Sequence, residues 1–598
     1  MQHCSRVKAL LLVCFLAAGW AVPVSGQEYE YRYHTYAETV ELLQEWVGTH
    51  SDLAELFSIG SSATGTMELW VVEITNKATG PAEEKPAAYF DGNQHDSEPM
   101  GGEVALHLVW WLLTRYGEDP EVTELLDTRT VYVLPLANPE GAEYYITGQV
   151  TWDPFEIPNR DQHYAPGQRG ADGPEDITGD GNFLQMRVED PNGTWKPYPT
   201  EPRLLVPRGV EDTQGPFYRL YTEGYDSNGD GEVNSDPPFT RFITNRNYPA
   251  FWSSQDGQLR GAGHYPLDEP NSRKIVDFLL SRRNIALVES YHTTSGVHLR
   301  PYAARPDEEI PHHDLEDYIA LLGQGSAFTG YPQASLYHEF TFLEEGVEAD
   351  QQPGVRRGVF VDWTYAGYGA FSTTTELWTL EPFVNEVGWA DIPVEERLFS
   401  IPGRYNRPDV LTQVLKWLDL NEGDPSLADQ GFKDWTPFDH PTLGRVEIGG
   451  WTRFWLRNPP AGPFFERIAK DQARFAVVRG LATPLVRIRE AEVERVTSTR
   501  WRLTVRVANT GWLDTSMQKA RLTGIARPDQ LTLQLSDGGS TEDPSTLEFP
   551  FMRGMRGGDL EFLYDGTWLI DAPAGTQVTV ELRSEKGGVD RVTVPLDG

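Results

Sequence analysis

Apolar residues recur at helical spacing at Val40, Leu43 and Trp46, behind a Thr35 suited to capping, and predict a packing helix over Tyr36–Thr49. Apolar runs over 69–74, 87–90 and 131–136 predict strands, and a strongly apolar stretch over 101–116 predicts a helix between the last two. A similar unit follows, in which Asp268-Glu269-Pro270 starts a helix over 271–283 that leads into a strand over 285–290. Two further strands are expected over 359–363 and 373–380, and in the second the alternation sets Thr374, Glu376 and Trp378 on one face. Strand and helix alternate, so this part of the chain is expected to be α/β, a mixed twisted sheet flanked by helices.

Later the pattern changes. The series Trp501-Leu503-Val505-Val507, Leu531-Leu533-Leu535, Val578-Val580-Leu582 and Val592-Val594 alternates apolar with polar residues, separated by Asn-Thr-Gly, Asp-Gly-Gly and Lys-Gly-Gly turns. A C-terminal all-β sandwich of immunoglobulin-like type is expected. The expected plan is a leader over 1–26, an α/β domain over 27–423 with an Asp/Gly-rich, loop-like insertion over 150–240, an aperiodic connector over 424–470 and the sandwich over 471–598.

The leader has Arg6 and Lys8, an apolar stretch from Ala9 to about Val22 and small residues up to Gly26, which reads as a secretory signal peptide and predicts export. Cys4 and Cys14, the two cysteines, both lie in it, so the mature protein is expected to hold no disulfide and to build any metal site from His and carboxylates. The 598 residues carry 51 Lys and Arg against 89 Asp and Glu, a net −38, and loss of Arg6 and Lys8 makes it −40. Such a surface repels phosphate backbones, which excludes nucleic acid as a partner. No later stretch has the roughly 18 uninterrupted apolar residues of a membrane span.

The candidate chemistry begins in DGNQHDSEPMGGE, Asp91 to Glu103, where His95 and Glu98 stand three residues apart directly after a predicted strand. An isolated H-x-x-E is a weak signal, but a short spacer plus a distant third ligand is how a catalytic zinc site is assembled, with one position left for water. His292, just past the strand over 285–290, is the expected third ligand, and ligands in open α/β sheets gather at the carboxyl ends of strands. Glu376 is either a strand-edge carboxylate facing water or the site's base. In the insertion, Asp176-Ile-Thr-Gly-Asp-Gly and Asp226-Ser-Asn-Gly-Asp-Gly echo the start of a calcium loop, without glutamate at the closing position, which falls on Arg187 and Pro237. The first is read as a metal-free turn. The loop from Asp226 to Asp236, with Asn234 nearby, is a Ca²⁺ candidate against the same bland reading. His298 is expected to line a cleft, and His312 and His313 to lie solvated in a loop.

Five ordered motifs, HDSE, NPEG, QMR, NRN and TTTEL, give the chain from about Tyr31 to about Leu420 a resemblance to the zinc carboxypeptidases related to pancreatic carboxypeptidase A. Members of that family hold their zinc with two histidines and one glutamate. The resemblance implies a carboxypeptidase-like fold, one Zn²⁺ on His95, Glu98 and His292, Glu376 as general base, and Arg187 as the cation that polarises the scissile carbonyl. It also implies that Asn245 and Arg246 grip the substrate's terminal carboxylate, that Tyr337, or Phe342 in its place, caps the substrate, and that Val361 lines the pocket for the C-terminal side chain. Two departures matter: Ser97 stands where the family has an arginine between the first two ligands, and Ile243 stands where it has the aspartate that orients the first histidine.

The expected function is therefore that of a secreted zinc metallocarboxypeptidase acting on peptides or proteins with a free C-terminal carboxylate and favouring apolar or aromatic C-terminal residues. The rivals are a cell-wall peptide or other amide hydrolase on the same zinc site, and a catalytically silent peptide-binding protein.

Overall fold

The computed structural model describes residues 28–147, 175–182, 184–227, 229–233, 243–253, 262–341, 343, 346–348, 352, 354–378, 408–425, 427, 430–452, 457–536, 538–558 and 561–597. The leader with both cysteines, Asn228, Asn234, Asp236, Pro237 and Phe342 lie outside the described residues. Strands are numbered β1–β22 in chain order, and the first seven helices α1–α7.

An eight-stranded mixed sheet organises the first part of the chain. Its strands are β1 (Ala54–Ser61), β2 (Glu68–Ile74), β3 (Ala87–Gly92), β4 (Thr130–Leu134), β9 (Ile285–Thr293), β10 (Val297–Arg300), β11 (Gln333–Ser335) and β12 (Phe371–Leu377), in the order β1-β2-β4-β3-β9-β12-β10-β11. The four central strands, β4, β3, β9 and β12, run parallel, and every residue of β3, β4 and β9 is buried. Strands covered on both faces are mostly apolar, which is why they read as runs rather than alternations. Parallel direction also brings the carboxyl ends of β3, β9 and β12 to one edge.

Helices α1 (Tyr36–Thr49), α2 (Pro99–Arg115), α3 (Pro120–Thr128), α4 (Pro139–Thr147), α5 (Pro270–Ser281) and α6 (His312–Thr329) accompany the sheet. The predicted Thr35 cap of α1 is present as a capping box with Glu38. The start of α2 presses against β3 and β9. A Cβ on Gly92 would sit 2.1 Å from the Gly101 carbonyl oxygen, and one on Gly101 would sit 2.4 Å from that of Tyr291, so only glycine permits the approach. The stretch expected as a strand over 359–363 is instead the short helix α7 (Phe360–Trp363), continued by a single π-helical turn, Thr364–Tyr368. An apolar run this short carries no period that separates strand from buried helix.

The insertion and the connector are not loops. β5 (Gln185–Glu189), β6 (Trp195–Tyr198), β7 (Glu201–Pro207) and β8 (Tyr218–Thr222) join β13 (Phe432–His440) and β14 (Gly444–Trp451) in one antiparallel sheet of order β13-β14-β5-β8-β6-β7. The seam pairs Arg187 with Glu447 and Met186 with Ile448, over a small core of Leu184, Met186, Val233, Val446 and Ile448. Each half pairs locally, β6 with β7 and β13 with β14, but the seam between β5 and β14 joins residues about 260 apart, which no local pattern announces.

A helix over Pro463–Ala482 crosses the boundary expected at 470/471 and packs against α2 and α6. Beyond it, β15 (Val486–Arg495), β16 (Arg500–Asn509), β18 (Ser540–Thr541) and β20 (Leu563–Asp571) form one four-stranded sheet. A second is formed by β17 (Asp529–Leu535), β19 (Thr546–Phe549), β21 (Gln577–Ser584) and β22 (Gly588–Pro595). Trp501, Leu503, Val505, Leu531, Trp568, Val578 and Val580 from both sheets share one core, so the expected all-β domain is present. It is tied to the α/β region by Arg556–Asp317 at 2.7 Å, Arg283–Glu585 at 3.0 Å and Arg591–Glu84 at 2.6 Å. No helix among the described residues is long and apolar enough to cross a membrane.

Candidate metal centre

Three residues far apart in sequence meet at the carboxyl edge of the sheet. His95 and Glu98 occupy the turn between β3 and α2, and His292 is the penultimate residue of β9 rather than just past its end. His95 Nδ1 lies 3.1 Å from Glu98 Oε1, while His292 Nδ1 lies 2.9 Å from Glu98 Oε2 and 3.3 Å from His95 Nδ1. One ligand atom from each falls within 4.8 Å of the others. Burial would raise the Glu98 carboxyl, yet the His95 and His292 imidazoles hold it well below the usual carboxylate range. Two imidazole nitrogens and a carboxylate converging on one centre are the donor set of a three-ligand zinc site, so the residues fit the ion.

A relay behind His292 decides which ring nitrogen faces that centre. Its Nε2 lies 3.3 Å from Ser290 Oγ, whose hydroxyl donates to Asp91 Oδ1 at 2.5 Å, and Gln94 Nε2 donates to both Ser290 Oγ, at 3.0 Å, and Asp91. Burial pushes Asp91 up to about 6, so it is an acceptor at neutral pH. Ser290 spends its proton on Asp91 and can only accept from Nε2, which leaves Nδ1 with its lone pair toward His95 and Glu98. The sequence holds Asp91, Gln94 and Ser290 in plain view, but only the pairing of β3 with β9, which sets Asp91 beside Ser290, reveals the relay.

Glu376 stands directly across from His292 in the β12–β9 register and is the one residue of β12 that keeps partial exposure. Burial and the nearby Glu98 charge push its carboxyl up to about 7, against His292, Arg356 and Arg457. Neither arginine was anticipated from the sequence.

The other expected site residues divide. Asn245 lies beside the cluster, its Nδ2 3.3 Å from His292 Nε2 and its Oδ1 accepting from Phe360 N at 2.8 Å, at the start of α7. Arg246 follows it and donates to the Asn245 carbonyl at 2.5 Å. Val361 is buried on α7 among Val297, Leu299, Ala334 and Phe340. Tyr337 is buried with Ala304 and Val355 against Phe251, and the charges it feels are those of Arg305, Glu308, Glu309 and Arg357, which sets it apart from the groups around Glu376.

Arg187 sits on β5, paired with Glu447 at 2.8 Å, with its guanidinium 4.4 Å from the Trp435 ring centre and 4.8 Å from that of Tyr218, and so helps to hold the second sheet together. The described residues give the Ca²⁺ expectation no support: Asp226 accepts from the backbone amides of Gly229, Asp230 and Gly231 at 2.7, 3.1 and 3.0 Å, and Asp176 accepts in the same turn pattern. His298 is buried in the core, not a cleft, between the Thr375 and Thr329 hydroxyls. His312 and His313 lie exposed in the first turn of α6 rather than in a loop.

The sequence pattern of the family described as zinc carboxypeptidase matches residues 39–173 and 242–386, and that of a domain of unknown function (DUF8731) matches 485–595. Carboxypeptidase M of Mus musculus is 29% identical over 135 residues, 21% of this chain and 30% of that protein. A zinc carboxypeptidase of Saccharothrix mutabilis subsp. capreolus is 33% identical over 131 residues, 21% and 29% respectively. Carboxypeptidase D of Homo sapiens is 34% identical over 113 residues, 19% and 8%. The chain thus spans less than a third of the length of these relatives. Among solved structures, carboxypeptidase A from Helicoverpa armigera matches 66% of this chain and 73% of its own at 15% identity and a TM-score of 0.37. Thrombin activatable fibrinolysis inhibitor matches 65% and 74% at 18% identity and a TM-score of 0.38.

Proposed function

We propose that this chain, which belongs to the zinc carboxypeptidase family through residues 39–173 and 242–386, is a secreted metallocarboxypeptidase that hydrolyses the C-terminal peptide bond of peptides. The observation that carries the reading is the convergence of His95, Glu98 and His292 within 4.8 Å, with Glu376 across from His292 on the neighbouring strand. When bound to those three side chains, Zn²⁺ supplies a Lewis acid that brings the pKa of water toward about 7. Glu376 accepts a proton from the attacking water and returns it to the leaving amine, and a carboxyl poised near 7 suits both transfers. The Ser290–Asp91 relay keeps the His292 ring in its productive orientation.

Arg246 grips the terminal carboxylate, for which its planar fork is matched, and this selects the last residue of a peptide over internal bonds. Val361 and its apolar neighbours favour apolar or aromatic C-terminal side chains over lysine or arginine. Residues 1–26 direct export, and the C-terminal sandwich, read as immunoglobulin-like, braces the α/β region. Blocked dipeptides ending in Phe, Leu or Lys, assayed with and without a chelator, test this. Release of Phe and Leu above Lys, lost with chelator and restored by zinc, is expected; no chelator-sensitive release from any of them removes the assignment.

A further inference from the structure

Ser97 stands between the two neighbouring ligands His95 and Glu98, and its hydroxyl accepts a hydrogen bond from Arg457 Nη1, contributed from 360 residues away. The next residue, Asn458, is fully buried, donates from Nδ2 to the Ser97 carbonyl at 3.0 Å and accepts from Met100 N at 3.2 Å. Asn458 thus pins the ligand turn and the first turn of α2 through their backbone. That bracing needs no charge.

Like His95 and Glu376, Arg457 keeps partial exposure, whereas Glu98, His292 and Asn458 do not. Its charge reaches Glu376, whose carboxyl it helps to hold down. Arg187 is committed to the second sheet. Arg356, the other cation felt at Glu376, is anchored by the Phe340 carbonyl at 3.3 Å and the Thr341 hydroxyl at 3.2 Å and lies over the Phe340 ring.

We propose that Arg457 is a substrate-binding residue of this site: its guanidinium meets the scissile carbonyl oxygen and the negative charge that builds on it as water attacks. This rests on the carboxypeptidase reading. The active site is then completed by a segment that follows the second sheet and lies beyond the family-matched residues, which end at 386. A cation at the developing oxyanion favours the transition state over the ground state, so its loss acts on kcat more than on KM.

The test uses the full-length, zinc-loaded chain and its Arg457→Gln and Arg457→Lys variants. Turnover of a blocked dipeptide ending in Phe is measured together with calorimetric binding of the matching phosphonate, whose tetrahedral anion takes the oxyanion's place, and of free phenylalanine. Arg457→Gln is expected to lower kcat by about 100-fold or more with KM nearly unchanged, and to weaken phosphonate binding by a similar factor. Zinc content and phenylalanine binding stay at the wild-type level, and Arg457→Lys falls between. Phosphonate affinity equal to wild type, or zinc content falling in step with activity, overturns the assignment. A wild-type chain that binds phosphonate but cleaves no dipeptide sinks the carboxypeptidase reading and leaves Arg457 to be judged on the binding ratio; one that binds no phosphonate overturns both.

Discussion

Arg479 is fully buried on the helix Pro463–Ala482 and meets Glu289, also fully buried, at 2.5 Å, three residues before the ligand His292 on β9. Its Nη2 donates to the Tyr291 hydroxyl at 3.0 Å, and its guanidinium lies 4.2 Å from the Phe475 ring centre. Arg479→Met keeps most of the apolar volume but strands the Glu289 carboxylate, whose Oε1 already lacks a hydrogen-bond partner among the described residues and whose Oε2 then keeps the Thr373 hydroxyl. Breaking one side of a buried pair costs about 3–5 kcal/mol, far above the cost of removing a surface pair. Loss of the contact with Phe475 adds about 1 kcal/mol. The double variant Glu289→Leu/Arg479→Met should recover most of this, because replacing both charges with packed apolar groups is often neutral or stabilising. Urea unfolding followed by near-UV circular dichroism and by chelator-sensitive activity measures the shift. A single variant within about 1 kcal/mol of wild type, or a double variant as unstable as the single one, would show that the pair does not hold β9 to this helix.

Four further outcomes follow from the same geometry. Glu376→Gln should lower kcat by about 100- to 10,000-fold while metal analysis still finds one zinc per chain; retained turnover removes it as the base. His292→Ala should lose zinc on dialysis at a chelator concentration the wild type withstands, and equal retention would show that the three side chains do not share an ion. Arg187→Gln should leave kcat within about twofold, since that guanidinium is committed to Glu447 and two rings; a hundredfold loss restores the role first expected of it. Burial pushes Lys586 from an ordinary 10.5 down to about 7, where its Nζ donates to the Ile285 carbonyl at 2.7 Å and faces the Tyr368 ring at 4.0 Å. Between about pH 7 and 10 the unfolded chain holds the proton that the folded chain sheds, so stability rises with pH there by up to about 1.4 kcal/mol per unit. Thermal scans of Lys586→Met should show that slope flattened, and an unchanged slope counts against the burial argument.

What the amino-acid order determined unaided is whatever depends on neighbours in sequence. Helix α1 with its Thr35 capping box, the buried runs of β3, β4 and β9, the alternating strands of the C-terminal sandwich and the short His95–Glu98 spacer all carry their period or motif within about ten residues. His292 was legible as a candidate because it closes an expected strand, and Glu376 through the TTTEL motif, although their adjacency follows from the parallel register of β9 and β12. Tertiary structure alone decided the matters where the deciding partner lies hundreds of residues away. It paired Arg187 with Glu447, and it joined the insertion and the connector into one sheet that neither pattern announces. It set Asp91 beside Ser290 to orient His292, and it brought Arg457 and Asn458 onto Ser97. Periodicity reports which face of an element is buried, whereas the group that meets a buried charge is chosen by how elements pack, and a single chain carries no local trace of that choice.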